Sequence, residues 1–210
     1  VKQLAQGLMQ YADANNGSFY KRDGTLTWLV QTAVPSFGTG YLVALFEYVP
    51  DAKIWYCPSS GHQNDEESLA QVYILLRADT IPFAAELPTS YPVFAGAQYI
   101  TTWLQPYQSR EIDNVGMIEN STRQVLVADT MRIDDRGAQQ PTSDDVLKYL
   151  RGNHGDESGG TRSTRGAEQY QMPVSGGNVG HFDTHVEWRN IVDMVPGAYT
   201  PAWEDTWWYW

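Results

Sequence analysis

The sequence predicts an α+β fold: an N-terminal amphipathic helix packed on a small antiparallel β-sheet, with long loops and a C-terminal β-hairpin. Three stretches carry that expectation. In Val1 to Gly17, VKQLAQGLMQYADANNG, the residues Leu4, Ala5, Leu8, Tyr11 and Ala12 recur at the spacing that lines one face of a helix. Gln124 to Ala128, QVLVA, is an unbroken apolar run of strand length, expected to be buried on both faces. Ser175 to Asn190, SGGNVGHFDTHVEWRN, alternates on either side of Asp183-Thr184 and reads as two strands around a turn.

Taken in order, the helix over 1–17 stops at Asn15, Asn16 and Gly17, residues that tolerate the left-handed conformation. No capping residue and no initiator Met precede Val1, so the helix is expected to continue a segment absent from this chain. Leu26 to Ala33 and YLVALFEYVP, residues 41–50, suggest two short helices, ended by Pro35 and Pro50. KIWYCPSSG, residues 53–61, is read as a β-rich run stopped by Cys57-Pro58-Ser59. Ser68 to Arg77 leans to strand, and Gln98 to Leu104 alternates as one. Residues 134–175 form a Gly-, Asp- and Ser-rich loop insertion in which only Val146 to Arg151 has helical spacing. All 210 residues are expected to form one domain.

Composition narrows the partners. A net charge of −11 disfavours polyanions and anionic lipid, so nucleic acid is excluded as a partner. A single cysteine, Cys57, rules out an intrachain disulfide and any multi-cysteine zinc site, and is expected to be a buried small hydrophobe rather than a reactive thiol. The longest wholly apolar run, Tyr41 to Phe46, is far short of the ~18 residues a spanning helix needs. Eight Trp and 13 Tyr exceed the needs of a core this size and point to protein interfaces or sugar platforms.

Several of these stretches resemble one family. LAQGLMQYADANNGSFY at the N-terminus, Cys57-Pro58-Ser59, the VLVAD run over 125–129 and HVEWR over 185–189 resemble bacterial type IV pilin-like proteins. The likeness is strongest to type II secretion pseudopilins and to prepilin-type proteins with a C-terminal H-x9-DG motif. It covers Val1 to about Asn16, Lys53 to Gly61, Gln124 to Thr130 and Gly176 to Arg189. Asp183 stands at the motif's Asp, with His185 and Trp188 in the sequence after it. Two departures stand out. Thr184 replaces the turn glycine, and Pro173 stands where the motif has His, with Asn153-His154-Gly155 as a displaced counterpart. The resemblance implies an exported, non-catalytic subunit whose apolar N-terminal stem is missing here, which touches the membrane only through that stem. Its partners would be copies of itself or related pilin-like subunits, met through Leu4, Leu8 and Tyr11 and through the aromatic tail.

The site chemistry is spare. His181, Asp183 and His185 alternate, and with His154 they are the candidate metal ligands. A turn at Asp183 breaks that alternation and sets the two histidines on opposing strands, so no metal is expected. Calcium is the one cofactor left open, since pseudopilins often bind it in a C-terminal loop, but no D-x-D-x-D-G spacing occurs. No GxSxG, HExxH, P-loop or dinucleotide fingerprint is present, so no catalytic residue is assigned. The tail Trp203 to Trp210 has five aromatics in eight residues, and Trp203, Trp207, Trp208, Tyr209 and Trp210 are expected at a subunit interface. Asn16 and Asn120 head glycan sequons. The function expected is a structural subunit of an extracellular or cell-surface pilus- or pseudopilus-like assembly. The alternatives are a polysaccharide-binding or adhesion module using Trp and Tyr platforms, and a His/Asp metal-dependent hydrolase.

Overall fold

Apolar periodicity and chain-reversing residues set the first element. The computed structural model describes residues 1–20, 45, 47–58, 90–96, 102–103, 112–129, 131–133, 151–152, 175–200 and 206–209. Helix α1 spans Lys2–Ala14, and Leu4, Ala5, Gly7, Leu8 and Ala12 form its buried stripe. It ends as its sequence dictates. Asn16 and Gly17 take positive φ of 55° and 79°, and the Gly17 amide donates to the Ala12 carbonyl at 2.8 Å, six residues to one, as in a Schellman cap. The Asn15 side chain satisfies a further carbonyl, donating to Tyr11 O at 2.8 Å.

The strands are β1 (Thr102–Trp103), β2 (Val125–Ala128), β3 (Met131–Ile133), β4 (Arg151–Gly152), β5 (Gly176–His181), β6 (Val186–Asn190), β7 (Pro196–Thr200) and β8 (Thr206–Tyr209). They form two antiparallel sheets, a three-stranded one ordered β2-β5-β6 and a five-stranded one ordered β1-β7-β8-β3-β4. The fold is thus α+β. In the smaller sheet Val127 pairs with Gly180, Ala128 with Val179, and Asn178 with Trp188. An isolated bridge from Val93 to Val127, with Phe94 donating to Leu126 O at 2.9 Å, continues pairing on the far side of β2. β2 is therefore enclosed from both sides, and all four of its residues are buried.

α1 lies on β2 and β5. Its buried stripe joins Leu126, Val127, Leu45, Val49, Trp55, Tyr56, Tyr91, Val93 and Phe182 in one core. Two glycines permit the approach. A Cβ on Gly7 would collide with the Val49 side chain, and one on Gly180 would press on Val1 and Val127. Among the described residues, no helix is long and apolar enough to cross a membrane.

Three expectations are corrected. Leu4 is 0% and Leu8 3% exposed, so their apolar surface is spent inside their own core and neither serves a subunit interface. The β-rich reading of 53–57 fails because Asp51 caps a 3-10 turn over Ala52–Trp55: its Oδ1 accepts from the Lys53 amide at 2.9 Å and starts a turn where β propensity favoured a strand. Within the aromatic tail, Thr206–Tyr209 form β8, an inner strand whose backbone pairs with β7 and β3, Trp208 opposite Ala198 and Arg132. Arg151, the last residue of the helical spacing over 146–151, lies in strand β4. The expected helix over 26–33, the strand over 68–77 and most of the 134–175 insertion fall outside the described residues.

Candidate functional site

The residues with chemistry to offer gather at the tip where β5 turns into β6. The turn is built from the sequence HFDTH. Thr184 N donates to His181 O at 2.9 Å, and His181 N donates to His185 O at 3.0 Å, so residues 182–184 form the loop. Thr184 closes it at φ 67°, in the left-handed region that a β-branched side chain disfavours. Two anchors hold that conformation. Phe182 is buried against Phe19, ring centroids 5.5 Å apart, and the Asp183 amide donates to Ser121 O at 3.1 Å.

The turn brings His181 and His185 face to face, their rings parallel within 4° and 4.2 Å apart between centroids. Their environments differ sharply: His181 is 1% exposed, whereas the His185 side chain is 41% exposed. Burial lowers the pKa of His181, the adjacent His185 adds to that, and the Glu187 hydrogen bond works against it. Asp183 and Glu187 are both held below their usual values: slight burial raises each, and the hydrogen bonds from His185 to Asp183 and from Arg189 to Glu187 outweigh it.

Those protonation states settle the tautomers. An ionised carboxylate only accepts, so His181 donates through Nε2 to Glu187 Oε1 at 3.2 Å, and His185 donates through Nδ1 to Asp183 Oδ1. In the neutral ring this tautomer leaves His185 Nε2 bare. Nδ1 of His181 is buried and has no hydrogen-bond partner among the described residues. Arg189 completes the group, its Nε donating to Glu187 Oε1 at 2.7 Å. Donor atoms of His181, His185 and Glu187 lie within 4.8 Å of one another, which makes them the metal-capable cluster among the described residues.

A second polar group is enclosed beneath α1. Cys57, Tyr91 and Asp129 are 1%, 4% and 1% exposed. Burial pushes the Tyr91 hydroxyl pKa upward, and Cys57 and Asp129 push it further. Asp129 accepts from the Asn178 amide at 2.6 Å and from its Nδ2 at 2.9 Å, stitching the end of β2 to the middle of β5. This is a structural knot with no solvent access, and Cys57 is the buried residue its composition suggested.

Of the other site residues read from sequence, Pro58 is exposed and Trp188 is 46% exposed, its Nε1 donating to Asn190 at 3.2 Å. Tyr11 is half-buried, edge-on to Tyr48 and Tyr20 at 5.6 and 6.4 Å. Trp207, Trp208 and Tyr209 lie in β8, while Ser59, His154, Trp203 and Trp210 lie outside the described residues. Sequence reasoning missed Glu187 and Arg189 as members of the site. The signal was available: on a strand, 185, 187 and 189 share one face. Compared with known proteins, the chain matches no family model, no curated protein and no solved structure.

Proposed function

We propose that this chain is the globular head of a pilin-like structural subunit, exported to the cell surface or beyond and working by packing against its own kind or related subunits rather than by turnover. The observation that supports the reading is α1 laid along β2 and β5, its apolar stripe consumed by the sheet. A helix so embedded moves with the head as one body, which is what a subunit transmitting contact along a fibre requires. The order of the N-terminal helix, the Cys57-Pro58 turn, the 125–129 run and the Asp183 turn along the chain supports it too.

Two measurements test it together. The coding sequence upstream of Val1 is expected to encode a short basic leader and an apolar stretch of about 20 residues, and native material is expected to show fibres by negative-stain microscopy. Monomeric native material from a gene with no such stretch overturns the reading.

A further inference from the structure

We infer that the β5–β6 tip is a site for a divalent transition-metal ion, zinc in the first instance, with His181, His185 and Glu187 as its three protein ligands. This is independent of the fibre-subunit reading and reverses the expectation from sequence that no metal binds. Two imidazole nitrogens and a carboxylate oxygen suit zinc, nickel or copper, and are a poor set for calcium, which takes six to eight oxygens.

The geometry carries the argument. Zinc ligands about 2.0–2.1 Å from the ion in a tetrahedron stand roughly 3.3 Å apart. The observed separation of His181 Nε2 from Glu187 Oε1 is 3.2 Å, already one edge of such a site. His185 supplies the second imidazole in the form a metal requires. Its Nδ1 proton is committed to Asp183, which fixes the tautomer and leaves Nε2 bare, the carboxylate–histidine pairing that orients ligands in zinc sites.

Two rearrangements accompany binding. A ring nitrogen's lone pair lies in the ring plane, and two parallel planes do not meet, so one ion cannot take both stacked rings as they stand. The exposed His185 turns off the stack while the enclosed His181 stays, and Asp183, on the exposed loop, follows its partner. On His181 the ion replaces the Nε2 proton, and the ring proton resides on Nδ1. Arg189 is the competitor, because its guanidinium already occupies Glu187 Oε1. Arg189→Ala is therefore expected to tighten metal binding, an outcome that a merely structural ion pair would not produce.

The test is titration of the intact chain with zinc chloride by calorimetry, with calcium chloride as the control. One equivalent is expected to bind saturably, with at least a tenfold loss in His185→Ala and in Glu187→Gln, a 10- to 100-fold loss in Asp183→Asn, a gain in Arg189→Ala, and no change in the double variant His62→Ala/His154→Ala, which removes the other two histidines. Calcium should give no heat at the same concentration. Nitrogen NMR of the wild-type histidine rings gives a reading that needs no variant: zinc shifts two rings of the four. No saturable zinc binding, binding unaltered by His185→Ala and Glu187→Gln, or ring signals unmoved by zinc each overturns the assignment.

Discussion

β2 and β6 are outer strands of the same three-stranded sheet, yet they are opposites. β2 is enclosed by β5 on one side and by residues 92–94 on the other, lies under α1, and has no exposed residue. β6 carries Glu187, Trp188, Arg189 and Asn190, exposed or half-exposed. The difference teaches where this chain keeps stability and where it keeps chemistry. Apolar burial accumulates at β2 and the helix, while titratable groups collect at the β6 end, where water still reaches His185.

Substitutions that break this contrast should do so in graded fashion. Leu4→Ala removes a wholly buried side chain between helix and sheet, and a loss of about 2–5 kcal/mol in urea-unfolding free energy is expected. Asn178→Ala removes one side-chain donor to the buried Asp129 carboxylate while the amide contact survives, and about 1–3 kcal/mol should be lost in the same assay. Thr184→Gly relieves a β-branched residue at positive φ and should gain about 1 kcal/mol, seen as a higher melting temperature. Val192→Ser, just past β6 and 78% exposed, should change stability by less than about 0.5 kcal/mol in the urea assay.

Acidity sharpens the comparison further. His181 has a folded-state pKa below the ordinary 6.5, so as pH falls the unfolded chain takes up the proton first. Its contribution is intact above pH 6.5 and is lost as pH falls below that value. Asp183 and Glu187, also lowered, add a second loss that begins only near their ordinary values of 3.8 and 4.5. The urea midpoint should therefore decline in two stages, and His181→Leu should remove the upper one.

Legibility in the sequence followed the range of the forces. α1 was readable because its stripe and its Asn-Asn-Gly stop are local, and Val125–Ala128 because a continuous apolar run has few places to go. The 3-10 turn at 52–55 was not, because one Asp51 oxygen outweighed the β propensity of Ile54, Trp55 and Tyr56. Leu4 and Leu8 were assigned to a neighbour because periodicity gives the apolar face and is silent on what covers it. At the site, two histidines on opposite strands could be foreseen from a turn at Asp183. Their stacking and the burial of one and not the other accompany the seating of Phe182 against Phe19, a contact between residues 163 positions apart, whereas the pairing of Glu187 with Arg189 is local to β6.

The missing Cβ at Gly7 works as a keyway. Val49 projects into the notch it leaves, with the Tyr48 carbonyl close behind. Sliding α1 by one turn in either direction would bring Gln3, Leu4, Gln10 or Tyr11 to that position, and none of these can accept the methyl. The notch therefore fixes the axial setting of α1 against the segment that carries Tyr48 and Val49, and a side chain placed at Gly7 would force helix and segment apart.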